Sequence, residues 1–490
     1  MITALLAAAL AAPAVTAPPP APPPVVATGP DRSSPPPVAP PAPMAWPELE
    51  RHAVAPGVEL VGWRLPGARR VEVEVIIHGG LLALDGQAIE PSLALSSQWG
   101  LATTTATPAQ LSTLLDTADI GLSAWIDYDT ATVGVDAATE DLGQALGVLR
   151  DVLREPVFPK DELKRYQAER KSWLTLDAPN DLRAAMSGAA DAAWYKPGAP
   201  YGDRPELGAL KRLKPADLAA RHARLLKEWP ITIVAAGDVA MADLAVQLRD
   251  ALAGVGADAP RAAHPVAPLP AGPHLLVVEM PGATQAAIGV RMAAPTRGAA
   301  DAAGFRLADF ALGGHFLARL NRNLREEHGW TYGIYSDWER DEANARWGAS
   351  CIVSADDVAE ALGELQAEIT EVGAEGATAA EIDAGWRDAL SGWNTALRTA
   401  ESAVGLARGL VLAEDTAAGR RALLDGLSAV TPGQSRDAAA AWLTPAHALW
   451  VVVGDPDALA PELAGLPWPI TRVSASDAVL GTFQPPGHTP

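Results

Sequence analysis

Arg325 and Tyr332 are the side chains whose types and spacing most invite a chemical reading. They stand seven residues apart in the run Leu324-Arg325-Glu326-Glu327-His328-Gly329-Trp330-Thr331-Tyr332. A guanidinium and a phenol aimed at one peptide carbonyl can hydrogen-bond to it and stabilise the oxyanion of a tetrahedral intermediate. The bland reading is an exposed helical arginine paired with Glu326 or Glu327 and a strand tyrosine in packing. On spacing alone the bland reading is favoured. His328 precedes Gly329, where a cationic side chain suits a helix C-terminus.

Other candidates are weaker. The nine histidines are His52, His78, His222, His264, His274, His315, His328, His447 and His488, and no two are four residues apart. His78-Gly79-Gly80 reads as a strand-end turn, and His315 after Gly313-Gly314 as a turn at the surface. Cys351 is the one cysteine, so the chain has no internal disulfide and no thiolate metal cluster. Its apolar flanks make it a buried core residue. Asp127-Tyr128-Asp129 lacks the ligand series of a calcium loop. Neither a phosphate loop nor a nucleophile elbow stands out. The fifteen tryptophans, against five Phe and six Tyr, are read mostly as core fillers and interface anchors, with Trp99, Trp173, Trp330 and Trp338 as candidates to line a groove.

Composition narrows the class. The chain has 490 residues, 49% apolar and 20% charged, with net charge −21 and pI about 4.8. That is a globular composition with room for several cores. The charge argues against a nucleic-acid partner, which needs a basic patch. Residues 1–12 are mostly apolar, too short to span a bilayer and of the length of a signal-peptide core. Val15-Thr16-Ala17 and Val25-Val26-Ala27 are cleavage candidates, although no basic residue precedes Arg32. The expectation is export to a bacterial periplasm, with no transmembrane helix. Residues 13–47 are dense in proline and read as an extended tether.

The body repeats itself. Asp141-Leu142-Gly143-Gln144-Ala145-Leu146 matches Asp357-Val358-Ala359-Glu360-Ala361-Leu362 at an offset of 216, and Gly237-Asp238 matches Gly454-Asp455 at an offset of 217. Two matches at nearly one offset imply duplication. In the first half, Val71-Glu72-Val73-Glu74-Val75 alternates as a half-buried strand. Leu142–Leu153 carries helical spacing with Pro156 and Pro159 as stops, and Ile231–Ala236 reads as a buried strand. The predicted class is α+β: two homologous halves, each a mixed or antiparallel sheet with helices packed on one face. The predicted division is a signal-like segment and tether (1–47), a first domain (48–256), a linker (257–273), a second domain (274–480) and a tail (481–490).

These landmarks resemble the insulinase/pitrilysin-type zinc peptidases, which include the mitochondrial processing peptidase. Phe158-Pro159 before a long charged helix resembles the family's turn before its third-ligand helix. Pro200-Tyr201-Gly202, then a helix, a strand and Gly237-Asp238, is family-like. So are Leu312-Gly313-Gly314, Leu317-Ala318-Arg319-Leu320 and Leu324-Arg325-Glu326, with Tyr332 at the family's spacing from Arg325. The resemblance covers nearly everything after residue 48. It implies a substrate-binding role for Arg325 and Tyr332.

One part of the pattern is missing. Active members carry H-x-x-E-H on a first-half helix, where two histidines on one face bind zinc and the Glu activates water. The corresponding segment here is Ser92-Leu93-Ala94-Leu95-Ser96-Ser97-Gln98-Trp99. The third-ligand position falls near Trp173, and nearby Glu169 alone would not hold zinc. The resemblance therefore implies a non-catalytic subunit with no metal and no cofactor in this chain. Zinc would reside in a homologous partner, and Arg325 and Tyr332 would hold the peptide substrate. The alternative is a catalytically inactive scaffold or peptide-holding homodimer.

Overall fold

The computed structural model describes residues 42–81, 89–195, 205–259, 273–296, 298–340 and 345–483. The signal-like segment, the tether before residue 42, Pro200-Tyr201-Gly202, residues 260–272 of the linker and the tail from 484 lie outside the described residues.

Two six-stranded sheets dominate the chain. The first uses β1 (Glu50–Ala55), β2 (Val58–Arg64), β3 (Arg70–Ile77), β4 (Gly121–Ile126), β5 (Ala131–Ala138) and β6 (Ile231–Gly237), in the order β1-β2-β6-β3-β5-β4. The second uses β7 (His274–Glu279), β8 (Gln285–Ala293), β9 (Tyr335–Arg340), β10 (Ala345–Ser354), β11 (Leu449–Gly454) and β12 (Ile470–Ser474), in the order β12-β7-β11-β8-β10-β9. Within each sheet one central pair is parallel, β2 with β6 and β7 with β11, and the strands beyond it pair antiparallel. The sheets differ at one edge, where β1 runs antiparallel to β2 but β12 runs parallel to β7. This is the duplicated α+β class that the repeat implied.

Each sheet is buried on both faces, and period-two alternation decides which side chain goes where. On β6, Ile231, Ile233 and Ala235 join Leu149, Leu153 and Leu225 of first-half helices. Val234 and Ala236 point the other way, with Val61, Trp63 and Ile76, onto Ala403, Val404 and Ala407. Those alanines belong to the second-half helix Ala400–Leu412. The converse also holds. Leu276, Val278, Val451 and Val453 pack against Ala185, Ala189 and Ala193 of the first-half helix Leu182–Trp194. Each half thus sends one helix across to close the other's sheet. Small residues permit the close approach. A Cβ at Gly289 on β8 would lie 2.8 Å from the sulfur of Met186 on the crossing helix.

Candidate functional site

The segment that would carry H-x-x-E-H forms the helix Ile89–Gln98. Its chemistry has been turned inward. Glu90 is fully buried, and its carboxylate accepts from Arg170 Nη2 at 3.2 Å and Nε at 3.3 Å. Arg170 lies on the charged helix Lys160–Ser172, which the resemblance assigned to the third ligand. Ser92 Oγ accepts from Arg221 at 2.8 Å, and Ser96 Oγ accepts from the Ile126 N–H at 3.2 Å. Trp99 is buried and donates to the Val152 carbonyl at 3.1 Å. Its ring meets His222 edge-on at 5.2 Å, and burial lowers His222 to about 4 despite a hydrogen bond to the Leu153 backbone.

Beyond Ser172 the helix widens into a π-helical turn, Trp173–Asp177. Trp173 is half-exposed with the Arg170 guanidinium 5.0 Å from its ring centre, a cation–π contact. Glu169 is exposed beside Arg165 at 3.8 Å. The pairing Glu90–Arg170 was not visible in the sequence, because its partners are 80 residues apart. Among the described residues, no three His, Cys, Asp or Glu side chains converge as metal ligands.

Arg325 lies in a second π-helical turn, Arg322–Glu327. Leu324 anchors it by complete burial. Asn321, also fully buried, staples the segment: its amide donates to the Phe316 carbonyl at 2.6 Å and its Oδ1 accepts from the Ile334 N–H at 3.2 Å. Asn323 donates to Glu364 and Glu368, each at 2.9 Å. Arg319 binds Glu381 through two nitrogens at 2.9 Å. Burial alone would raise the Glu381 carboxyl, but Arg319 and Thr378 hold it down at about 2.

Within this frame Arg325 itself is loosely held. Its guanidinium sits 4.5 Å from the Phe316 ring centre, and Glu326 lies 3.5 Å from Nη1. That nitrogen is buried and has no hydrogen-bond partner among the described residues. Tyr332 is 98% exposed, so its phenol packs against nothing. Gly329, with φ of +73°, makes the turn between them, and His328 stacks on Trp330 at 4.0 Å. Phe316, Leu317 and Tyr335 are exposed apolar side chains of the same half. Of the other tryptophans, Trp338 packs on Phe305 and donates to the Pro295 carbonyl at 3.1 Å. Cys351 is buried, and burial pushes its thiol up to about 12. His78 is buried at the end of β3, 2.9 Å from Thr232 Oγ1.

Comparison with known proteins supports the fold. The family described as the peptidase M16 inactive domain matches residues 212–386. Among solved structures, the peptidase M16 inactive domain from Pseudomonas fluorescens is 20% identical and superposes with a TM-score of 0.74, covering 83% of this chain and 98% of that one. A protease from Helicobacter pylori is 15% identical with a TM-score of 0.71, covering 83% and 99%. The periplasmic protease PqqL from Escherichia coli is 14% identical with a TM-score of 0.69, covering 84% of this chain and 46% of that one. Among curated proteins none matches. Residues 212–386 thus match the peptidase M16 inactive domain, the chain shares the fold of these solved structures, and its sequence contains no H-x-x-E-H.

Proposed function

We propose that this chain is the substrate-holding, non-catalytic subunit of a two-chain zinc peptidase, exported to the periplasm, with Arg325 and Tyr332 as its contribution to peptide hydrolysis. The observation that carries this reading is a guanidinium whose buried Nη1 makes no hydrogen bond and has the Glu326 carboxylate 3.5 Å away, in the same short segment as a fully exposed phenol. A buried polar group without a partner costs about 1–3 kcal/mol and is retained where a ligand completes it. Both groups are donors suited to a peptide carbonyl whose oxygen gains charge. A homologous partner would supply the zinc and the water-activating Glu.

The test is co-expression with a homologous chain bearing H-x-x-E-H, followed by a peptidase assay on the purified complex. Arg325→Ala with Tyr332→Phe should lower kcat about 100-fold, the scale of losing oxyanion donors, while leaving the complex assembled. Full activity of the double variant would sink the shared site. A stable homodimer that recruits no zinc-bearing chain would favour the alternative, a peptide-holding scaffold.

A further inference from the structure

The N-terminal tether ends in a bound state. Residues 42–49 form no regular hydrogen-bonded element, yet 44–47 are gripped from both halves. Trp46 stacks on Trp393 of the helix Ala379–Thr395, with ring centres 3.5 Å apart and planes 9° apart. It meets Trp63 of β2 edge-on at 6.3 Å. The Trp393 indole donates to the Met44 carbonyl at 2.7 Å, and the Trp63 indole donates to the Pro47 carbonyl at 3.0 Å. Asn394 Oδ1 accepts the Met44 N–H at 2.7 Å, and the Trp46 indole donates to the Trp393 carbonyl at 3.2 Å. Arg421 lies 5.9 Å from the Trp393 ring centre.

This pattern is the chemistry of recognising an extended proline-flanked peptide. A polyproline-type strand repeats every three residues and leaves its carbonyls free of internal hydrogen bonds. The Met44 and Pro47 carbonyls stand three residues apart, and each accepts from an indole N–H. Aromatic walls that donate to free carbonyls of a stiff segment give binding at low entropic cost. The segment Pro43-Met44-Ala45-Trp46-Pro47 supplies both features, with the tryptophan as its anchor.

We infer that Trp63, Trp393 and Asn394 form a peptide-recognition groove for extended proline-flanked tryptophan segments, filled in this chain by its own residues 43–47. The groove is built from both halves, so the seated segment ties β2 of the first half to the helix layer of the second. This inference does not depend on Arg325 or Tyr332.

The experiment uses the full chain and a labelled peptide spanning residues 41–49. The Trp46→Ala variant vacates the groove and should bind the free peptide at least about tenfold more tightly than the wild-type chain, a difference of ~1.4 kcal/mol. The same peptide with its tryptophan replaced by alanine should not bind. Circular dichroism checks that the variant is folded. If it is not, Met44→Pro replaces it: this removes the N–H held by Asn394, leaves both ring contacts, and should raise peptide affinity over wild type. The inference is overturned if the loosened chain ignores the peptide, or binds the tryptophan-free version equally well.

Discussion

Two arginines in π-helical turns or beside them, Arg170 in the first half and Arg325 in the second, are held in opposite ways. Arg170 closes two hydrogen bonds on a carboxylate with no solvent exposure. Arg325 rests against a phenylalanine ring, with its Nη1 making no hydrogen bond and the adjacent Glu326 carboxylate 3.5 Å away. The first half therefore ties its cation into an internal ion pair. The second half keeps its cation free of such duty. A buried pair is sensitive to losing one partner, whereas a loosely held cation is dispensable to stability.

The two crossing helices give a second contrast. Glu74 on β3 is bound by Arg408 of the helix Ala400–Leu412 at 2.7 and 2.9 Å. The counterpart contact joins Arg291 on β8 to Asp191 of the helix Leu182–Trp194 at 2.6 Å. The strands correspond, with Arg291 two residues beyond the register equivalent of Glu74, Gly289, and the charges are exchanged. Arg346 adds to the second contact, 3.2 Å from Asp191 and 2.5 Å from Glu339.

The largest effect is expected at Arg170. Arg170→Ala leaves Glu90 buried without its cation and should cost about 3–5 kcal/mol in urea unfolding. At the crossing, Arg408→Ala should cost about 3 kcal/mol, less because Arg408 is partly exposed. The exchange Glu74→Arg with Arg408→Glu should recover part of that loss by adopting the polarity of the other crossing. A double variant as unstable as Arg408→Ala would show that packing rather than charge sets the contact.

His222 gives a pH signature of similar size. Its folded value, about 4, lies below the ordinary histidine value of 6.5. The unfolded chain therefore takes up the proton first, and stability falls as pH drops from 6.5 towards 4. The loss is on the order of 3 kcal/mol, and His222→Phe should flatten that limb of a stability–pH curve.

Glu72 acts in the opposite sense. Burial, with Glu74, Asp136 and Glu401 nearby, raises its carboxyl to about 7. Its charged form is disfavoured in the folded chain, so its penalty grows above pH 4.5 and is complete above 7. Glu72→Gln should stabilise the protein at pH 8 by on the order of 1 kcal/mol and have little effect at pH 4. The smallest effect belongs to Arg325→Ala, which should shift stability by no more than about 0.5 kcal/mol. A loss as large as that of Arg170→Ala would erase the contrast between the halves.

The sequence by itself determined the duplication, the alternating strands and the missing zinc ligands. Repeats, period-two patterning and an absent H-x-x-E-H are local or offset-encoded signals that survive without coordinates. The tertiary structure alone decided which sheet each alanine-rich helix covers, because periodicity marks a buried face without naming its partner. It also decided that Glu90 meets Arg170, that Glu74 meets Arg408, and that Trp46 lies between Trp63 and Trp393. The last two join residues more than 300 positions apart in sequence at one of their contacts. Such pairings follow from how whole elements pack, and no window along the chain contains both partners.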